Sequence, residues 1–265
     1  MPDLMDDNLG DWRIDTVCTL AEDVGEHKAG DPVRLMSSGK HRKHKFLCFV
    51  TPSVSAMCLN VAIDAAAKAE AIRPKLVLTE AKSPFGKKVL QVQDSHLAEL
   101  YYFFEQAIVA ATMSFQALEA FANATIGRRG PATVEVRRKA GVTEHYRTAD
   151  AERRLPTEDK FAQVLPKIFS VDSPKGGKTW THFKDLKFVR DETVHVKSRS
   201  IYTRHQQQET TLLFDFLSTD IRTYPMSAVK VIEYYFPKDK PRWLTYARRN
   251  IQRDERTNVT VTSAL

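Results

Sequence analysis

The residue types that could do chemistry crowd into one stretch, Trp180 to His195, WTHFKDLKFVRDETVH. Arg190, Asp191 and His195 place a guanidinium, a carboxylate and an imidazole in a short span. Together these groups suit phosphodiester cleavage without a metal. An imidazole with an unperturbed pKa of about 6.5 exchanges protons near neutrality. A guanidinium fork can hold phosphate oxygens as negative charge builds. On a helix Asp191 and His195 are one turn apart, so the acid can reach and orient the ring. Spacing alone does not select these residues, because Arg138/His145 and Arg199/His205 are similarly separated. Context does. The first of those pairs spans an expected turn and the second lies in a polar connection. Only Arg190 follows an apolar helical face (Trp180, Phe183, Leu186, Val189) and is followed at once by a carboxylate.

A site of this kind needs elements that hold it. Asp94 or Ser95 can cap a long helix running to about Ile126, with Leu97, Tyr101, Phe104, Ile108, Ala111, Phe115, Leu118, Ala122 and Ile126 as its apolar stripe. Beside that stripe runs a polar one, Glu105, Thr112, Gln116, Glu119 and Asn123, in which the last two are a turn apart. Gly127 to Pro131 stops the helix. TVEVRRKAGVTEHYRT then alternates on either side of Lys139-Ala140-Gly141, which predicts a hairpin within a basic insertion at 128–154. Thr157 is expected to cap a short helix with Phe161, Val164, Leu165 and Ile168 inward and a kink at Pro166. Gly176-Gly177-Lys178-Thr179 lacks the first glycine of a phosphate-binding loop. Apolar helices are expected over 210–221 and 225–236, and a basic amphipathic helix over 242–256.

The first 92 residues read differently. Residues 1–50 are punctuated by Gly and Pro, and Phe46–Val50 is expected to be a buried strand after the basic run Gly39–Lys45. An Ala-rich helix follows Thr51-Pro52 and stops at Arg73-Pro74, and a hairpin turns near Ser83–Gly86. His41, His44, Cys48 and Cys58 have the residue types of a zinc site, but Cys58 falls on an apolar helix face and reads as a small hydrophobe, so no metal is expected. The fold class is therefore mainly α: a helical bundle over 93–236 with a small mixed α/β segment at 1–92, the β-hairpin insertion, and a basic helix and tail at 237–265.

Composition narrows the partners. A net charge of +7 and a pI near 9.2 favour a polyanion, nucleic acid before membrane. No apolar run approaches the roughly 18 residues of a membrane span. An acidic N-terminus and three cysteines without a CxxC pair point to the cytoplasm.

A long helix carrying ALEAFAN (Ala117–Asn123), a short helix, then a helix ending in Arg-polar-x3-His resembles the HEPN-domain family. The resemblance covers roughly residues 93–236. It implies a helical bundle and a metal-independent endoribonuclease, set in toxin or phage-defence contexts. It further implies a homodimer with a composite active site, and an antitoxin or regulatory partner. Arg190, Asp191 and His195 map onto the family's nuclease motif. Asparagine is common where Asp191 stands, and the tyrosine of one toxin subgroup is Lys197 here. On this reading RNA is the substrate and no cofactor is needed. Glu119 and Asn123 would hydrogen-bond Arg190 and set its angle, and Arg137, Arg138, Lys139, Lys187 and Lys197 would grip RNA phosphates. Two alternatives stand beside it. One is a non-catalytic module for nucleic acid or protein, in which Arg190 is salt-bridged and His195 caps its helix. The other is a DNA-binding regulator using the basic arm and the C-terminal helix.

Overall fold

Ser53 starts the first helix, α1 (Val54–Ile72), by accepting the Ala56 N–H at 3.2 Å. The inner face of α1 is built from alanines. The computed structural model describes residues 5–6, 10–15, 17–42, 45–82, 86, 88–138, 141–195 and 211–262. In it α1 lies along α2 (Leu97–Arg129), the longest helix described, at about 50 Å for 33 residues. Ala56, Ala65, Ala66 and Ala69 of α1 and Ala107, Ala110, Ala111 and Ala117 of α2 are all buried in one cluster. Short side chains on both surfaces let two helices approach closely.

That seam corrects the expected stripe of α2. In its second half Phe115, Leu118, Ala122 and Ile126 are buried as expected, but Tyr101 and Ile108 are exposed. Phe103, Ala107, Ala110 and Ser114 point inward instead. The large apolar residues marked one face, whereas the alanine surface of α1 selected the neighbouring one.

The remaining helices close around α2. They are α3 (Thr148–Arg154), α4 (157–169), α5 (Lys178–Val194), α6 (Leu212–Ser218), α7 (Thr223–Glu233) and α8 (Arg242–Thr262). α5 and α7 pack on α2 and on each other, and α8 packs on α1 and α7. A single buried cluster extends from Trp12 to Ile251, so α1 and α8 share the core of the 93–236 bundle. Glu70 and Arg73 fasten α6 to the end of α1. Arg73 donates to the carbonyls of Phe216, Leu217 and Thr219, and Glu70 accepts the Ile221 N–H at 2.8 Å.

α4 is irregular for a reason visible in its sequence. Its middle, Lys160–Val164, is a π turn ahead of Leu165–Phe169. Pro166 has no N–H for the Ala162 carbonyl four residues back. The Ser173 hydroxyl donates to that carbonyl at 2.8 Å, and the Tyr235 hydroxyl donates to the neighbouring Phe161 carbonyl. Thr157 does not cap this helix. It is the first helical residue, and its hydroxyl donates to Glu119 Oε1 at 3.0 Å.

Strands occur as antiparallel pairs: β1 (Met5–Asp6) with β2 (Gly10–Asp11), β3 (Val17–Thr19) with β4 (Pro32–Arg34), β5 (Met36–His41) with β6 (Lys45–Val50), and β7 (Leu78–Lys82) with β8 (Lys88–Val92). β6 is a strand, but Phe46 is 73% exposed and Leu47 and Phe49 about half exposed, so it is not buried. Two strands alone form a ribbon with no second layer to cover either face. The expected insertion hairpin is β9 (Thr133–Arg137) with β10 (Thr143–Arg147), Arg137 opposite Thr143. It buries Val134 and Val136 and is docked to the bundle through them. Among the described residues no helix is long and apolar enough to cross a membrane.

Candidate functional site

α5 carries the predicted motif at its C-terminal end. Its inward face buries Phe183 and Leu186, with Trp180 and Val189 partly buried beside them. Trp180 stacks on Phe183 at 4.8 Å between ring centroids, and Phe183 lies 5.9 Å from Phe115 of α2. This aromatic packing fixes α5 against α2 and so places Arg190.

The guanidinium of Arg190 is held on three sides. Its Cζ sits 4.3 Å from the centre of the Phe115 ring, a cation–π contact. Nη2 is 3.6 Å from Glu119 Oε1, and Nη1 is 3.2 Å from Asp191 Oδ1. Nε is buried without a hydrogen-bond partner among the described residues. The side chain keeps 23% of its exposure, so solvent reaches part of the fork.

Asp191 faces basic groups. Its Oδ2 accepts from Lys187 Nζ at 2.8 Å while Oδ1 faces Arg190. The expected contact between Asp191 and the His195 ring is not among the hydrogen bonds of the described residues; what joins the two is the His195 N–H donating to the Asp191 carbonyl at 2.9 Å. His195 occupies the C-cap with ψ of 56°, exposed to solvent. Five residues along a helix is about 140° of rotation from Arg190, so bringing the two groups to one phosphate depends on this non-helical cap.

Glu119 and Asn123 part company. Glu119 faces Arg190, whereas Asn123 Oδ1 accepts from Lys160 Nζ at 2.7 Å. Lys160 also donates to the Glu152 carbonyl at 2.6 Å and is 5% exposed. Burial pushes its pKa down, opposed by the charges of Glu119 and Glu152. The sequence reading did not include Lys160. The signal that could have found it was a lysine leading directly into the apolar residues Phe161, Ala162, Val164 and Leu165, close to the proline that forces the π turn.

The residues expected to grip phosphate are in different states. Arg137 is exposed at the end of β9, with its backbone N–H and carbonyl bonded to the side chain of Gln163. Arg138 is committed within the protein, to Glu144 at 2.7 Å, to Asp159, and to the Tyr146 hydroxyl at 3.1 Å. Lys187 is bonded to Asp191. Lys139 and Lys197 lie outside the described residues. No family model matches the chain, and no curated protein or solved structure matches it.

Proposed function

We propose that the chain is a metal-independent endoribonuclease of HEPN type, with Arg190 and His195 as its working pair. One observation carries the reading. A guanidinium is immobilised by a ring beneath and an acid on either side, and an exposed imidazole stands five residues on at the helix end. A prefixed cation loses little freedom on meeting phosphate, and a solvent-facing ring can be reached by a substrate hydroxyl. The ribose 2′-oxygen attacks phosphorus, the bond to the 5′-oxygen breaks, and a 2′,3′-cyclic phosphate and a 5′-hydroxyl result. His195 takes the 2′-hydroxyl proton or hands one to the leaving oxygen, and two motifs in one homodimer cleft supply both roles. Arg190 steadies the charge on the non-bridging oxygens. The nucleophile is internal to RNA, so the chemistry requires no metal and spares DNA.

The test is a cleavage gel on unstructured RNA in EDTA, with end-group analysis. Cyclic-phosphate ends that vanish in His195→Ala, at unchanged melting temperature, support the proposal. Cleavage that persists in His195→Ala sinks it. A second reading, a non-catalytic nucleic-acid-binding or protein-interaction module, is favoured by the engagement of Asp191 with Lys187 and Arg190. It expects RNA to stay intact, and Arg190→Ala to lower the melting temperature by several degrees.

A further inference from the structure

A second site is suggested on the far side of α2. Phe121, Thr125 and Arg128 lie roughly 180–240° round that helix from Glu119, and there they line a cleft of about 320 Å3. The start of α1, the end of α2, Phe169 of α4 and the connection into α8 form its walls. Its size falls at the lower end of small-ligand sites, roughly 300–1,000 Å3.

The lining combines two chemistries. Phe121, Phe169, Phe236 and Trp243 form an aromatic group, with Phe121 stacked on Phe169 at 6.1 Å and Phe236 edge-on to Phe169 at 4.9 Å. Arg128, Arg129, Lys240 and Arg242 supply four cations against the two carboxylates Asp15 and Asp239. These cations are not equivalent. Arg128 pairs with Asp15, Lys240 reaches Glu233 at 3.1 Å, and Arg242 donates to the Gly10 carbonyl at 2.6 Å. Arg129 is exposed, with its Cζ 5.7 Å from the Phe169 ring, and among the described residues no carboxylate pairs with it.

We infer that this cleft binds a phosphorylated nucleotide, its base against the aromatic wall and its phosphate on Arg129 and Lys240. Phe121 and Trp243 are buried behind the wall, so the rings a ligand meets are the partly buried Phe169 and Phe236. A bare anion has no use for these, and a neutral ring system has no use for the cations. A planar base carrying a phosphate uses both, through stacking and charge-assisted hydrogen bonds. Ser53 and Ser55, at the N-terminal end of α1, add the positive end of a helix dipole to the same wall. The ligand is either a free mononucleotide or the phosphorylated end of a nucleic-acid strand. The inference does not rest on the nuclease reading.

Calorimetric titration of the full chain tests it, using adenosine 5′-monophosphate, adenosine, inorganic phosphate and a 5′-phosphorylated oligoribonucleotide. The nucleotide or the oligonucleotide is expected to bind at least tenfold tighter than phosphate or adenosine, and the tighter of the two names the source. Arg129→Gln is expected to weaken that binding roughly tenfold. Lys240→Gln, which leaves Glu233 paired with Arg248, should weaken it as well and serves if the first variant does not fold. Equal affinity in both variants, nucleotide binding no tighter than phosphate, or binding lost on Arg190→Ala but kept in Arg129→Gln would overturn the inference.

Discussion

Replacing Lys160 probes the arrangement around Arg190 from its hidden side. In Lys160→Ala the Asn123 Oδ1 and the Glu152 carbonyl both lose their donor. Stranding a buried acceptor costs about 1–3 kcal/mol each. Removing a long side chain that is 5% exposed leaves a cavity, which adds a further term of about 2 kcal/mol. Removing the buried charge relieves a desolvation penalty of several kcal/mol, which offsets part of that loss. The net expectation is a loss of about 3 kcal/mol, or roughly 6–12 °C in melting temperature for a chain of this size. Lys160→Met fills the cavity and carries no charge, so it should lose no more than about half as much. The double variant Lys160→Met/Asn123→Leu also removes one stranded acceptor, and should recover stability relative to Lys160→Met alone. Differential scanning calorimetry of the three proteins decides the matter. If Lys160→Ala melts within 2 °C of the parent, or Lys160→Met melts lower than Lys160→Ala, the buried ammonium is not the tie described here.

Three further outcomes are expected. Arg73→Ala should lower stability by about 2–4 kcal/mol in urea titration, because the Phe216, Leu217 and Thr219 carbonyls lose one shared donor and Glu70 keeps only the Ile221 N–H. Tyr235→Phe should cost about 1–2 kcal/mol by stranding the Phe161 carbonyl, without changing the fold seen by circular dichroism. His182 touches Ser227 at 3.2 Å, and burial holds its pKa below 6.5, helped by Lys230 and opposed by Asp185. The unfolded chain therefore binds the proton first as pH falls. Its stabilising contribution is full above pH 6.5 and declines below that value. His182→Gln should flatten the dependence of melting temperature on pH between 7 and 5, and an unchanged slope would count against this account.

The chain was legible where pattern and packing agree. α5 buries the face formed by Phe183 and Leu186, and the β9–β10 hairpin turns where the alternation breaks. It was misleading where a neighbour decides. Nothing within 97–110 tells that Ala107 and Ala110 face the core while Tyr101 and Ile108 do not, because the choice is made by the alanines of α1, some fifty residues away in sequence. The site divides the same way. The nearness of Arg190 to Glu119 follows from two helix faces that could be read separately. The capture of Asn123 by Lys160 required the π turn, which follows from the missing N–H of Pro166 and the substitute donors Ser173 and Tyr235. Asp191 had three neighbours within reach, two cations and an imidazole, and helix geometry alone does not choose among them.

The alanine seam between α1 and α2 also constrains how this chain can drift. The seam alanines are almost fully buried, so a branched side chain there would overpack the contact, whereas Val54, Met57 and Val61 on the outer side of α1 are exposed and under no such constraint. Divergent descendants would therefore keep an invariant row of small residues that looks unremarkable in composition. That row is the part of the chain by which distant kin could be aligned.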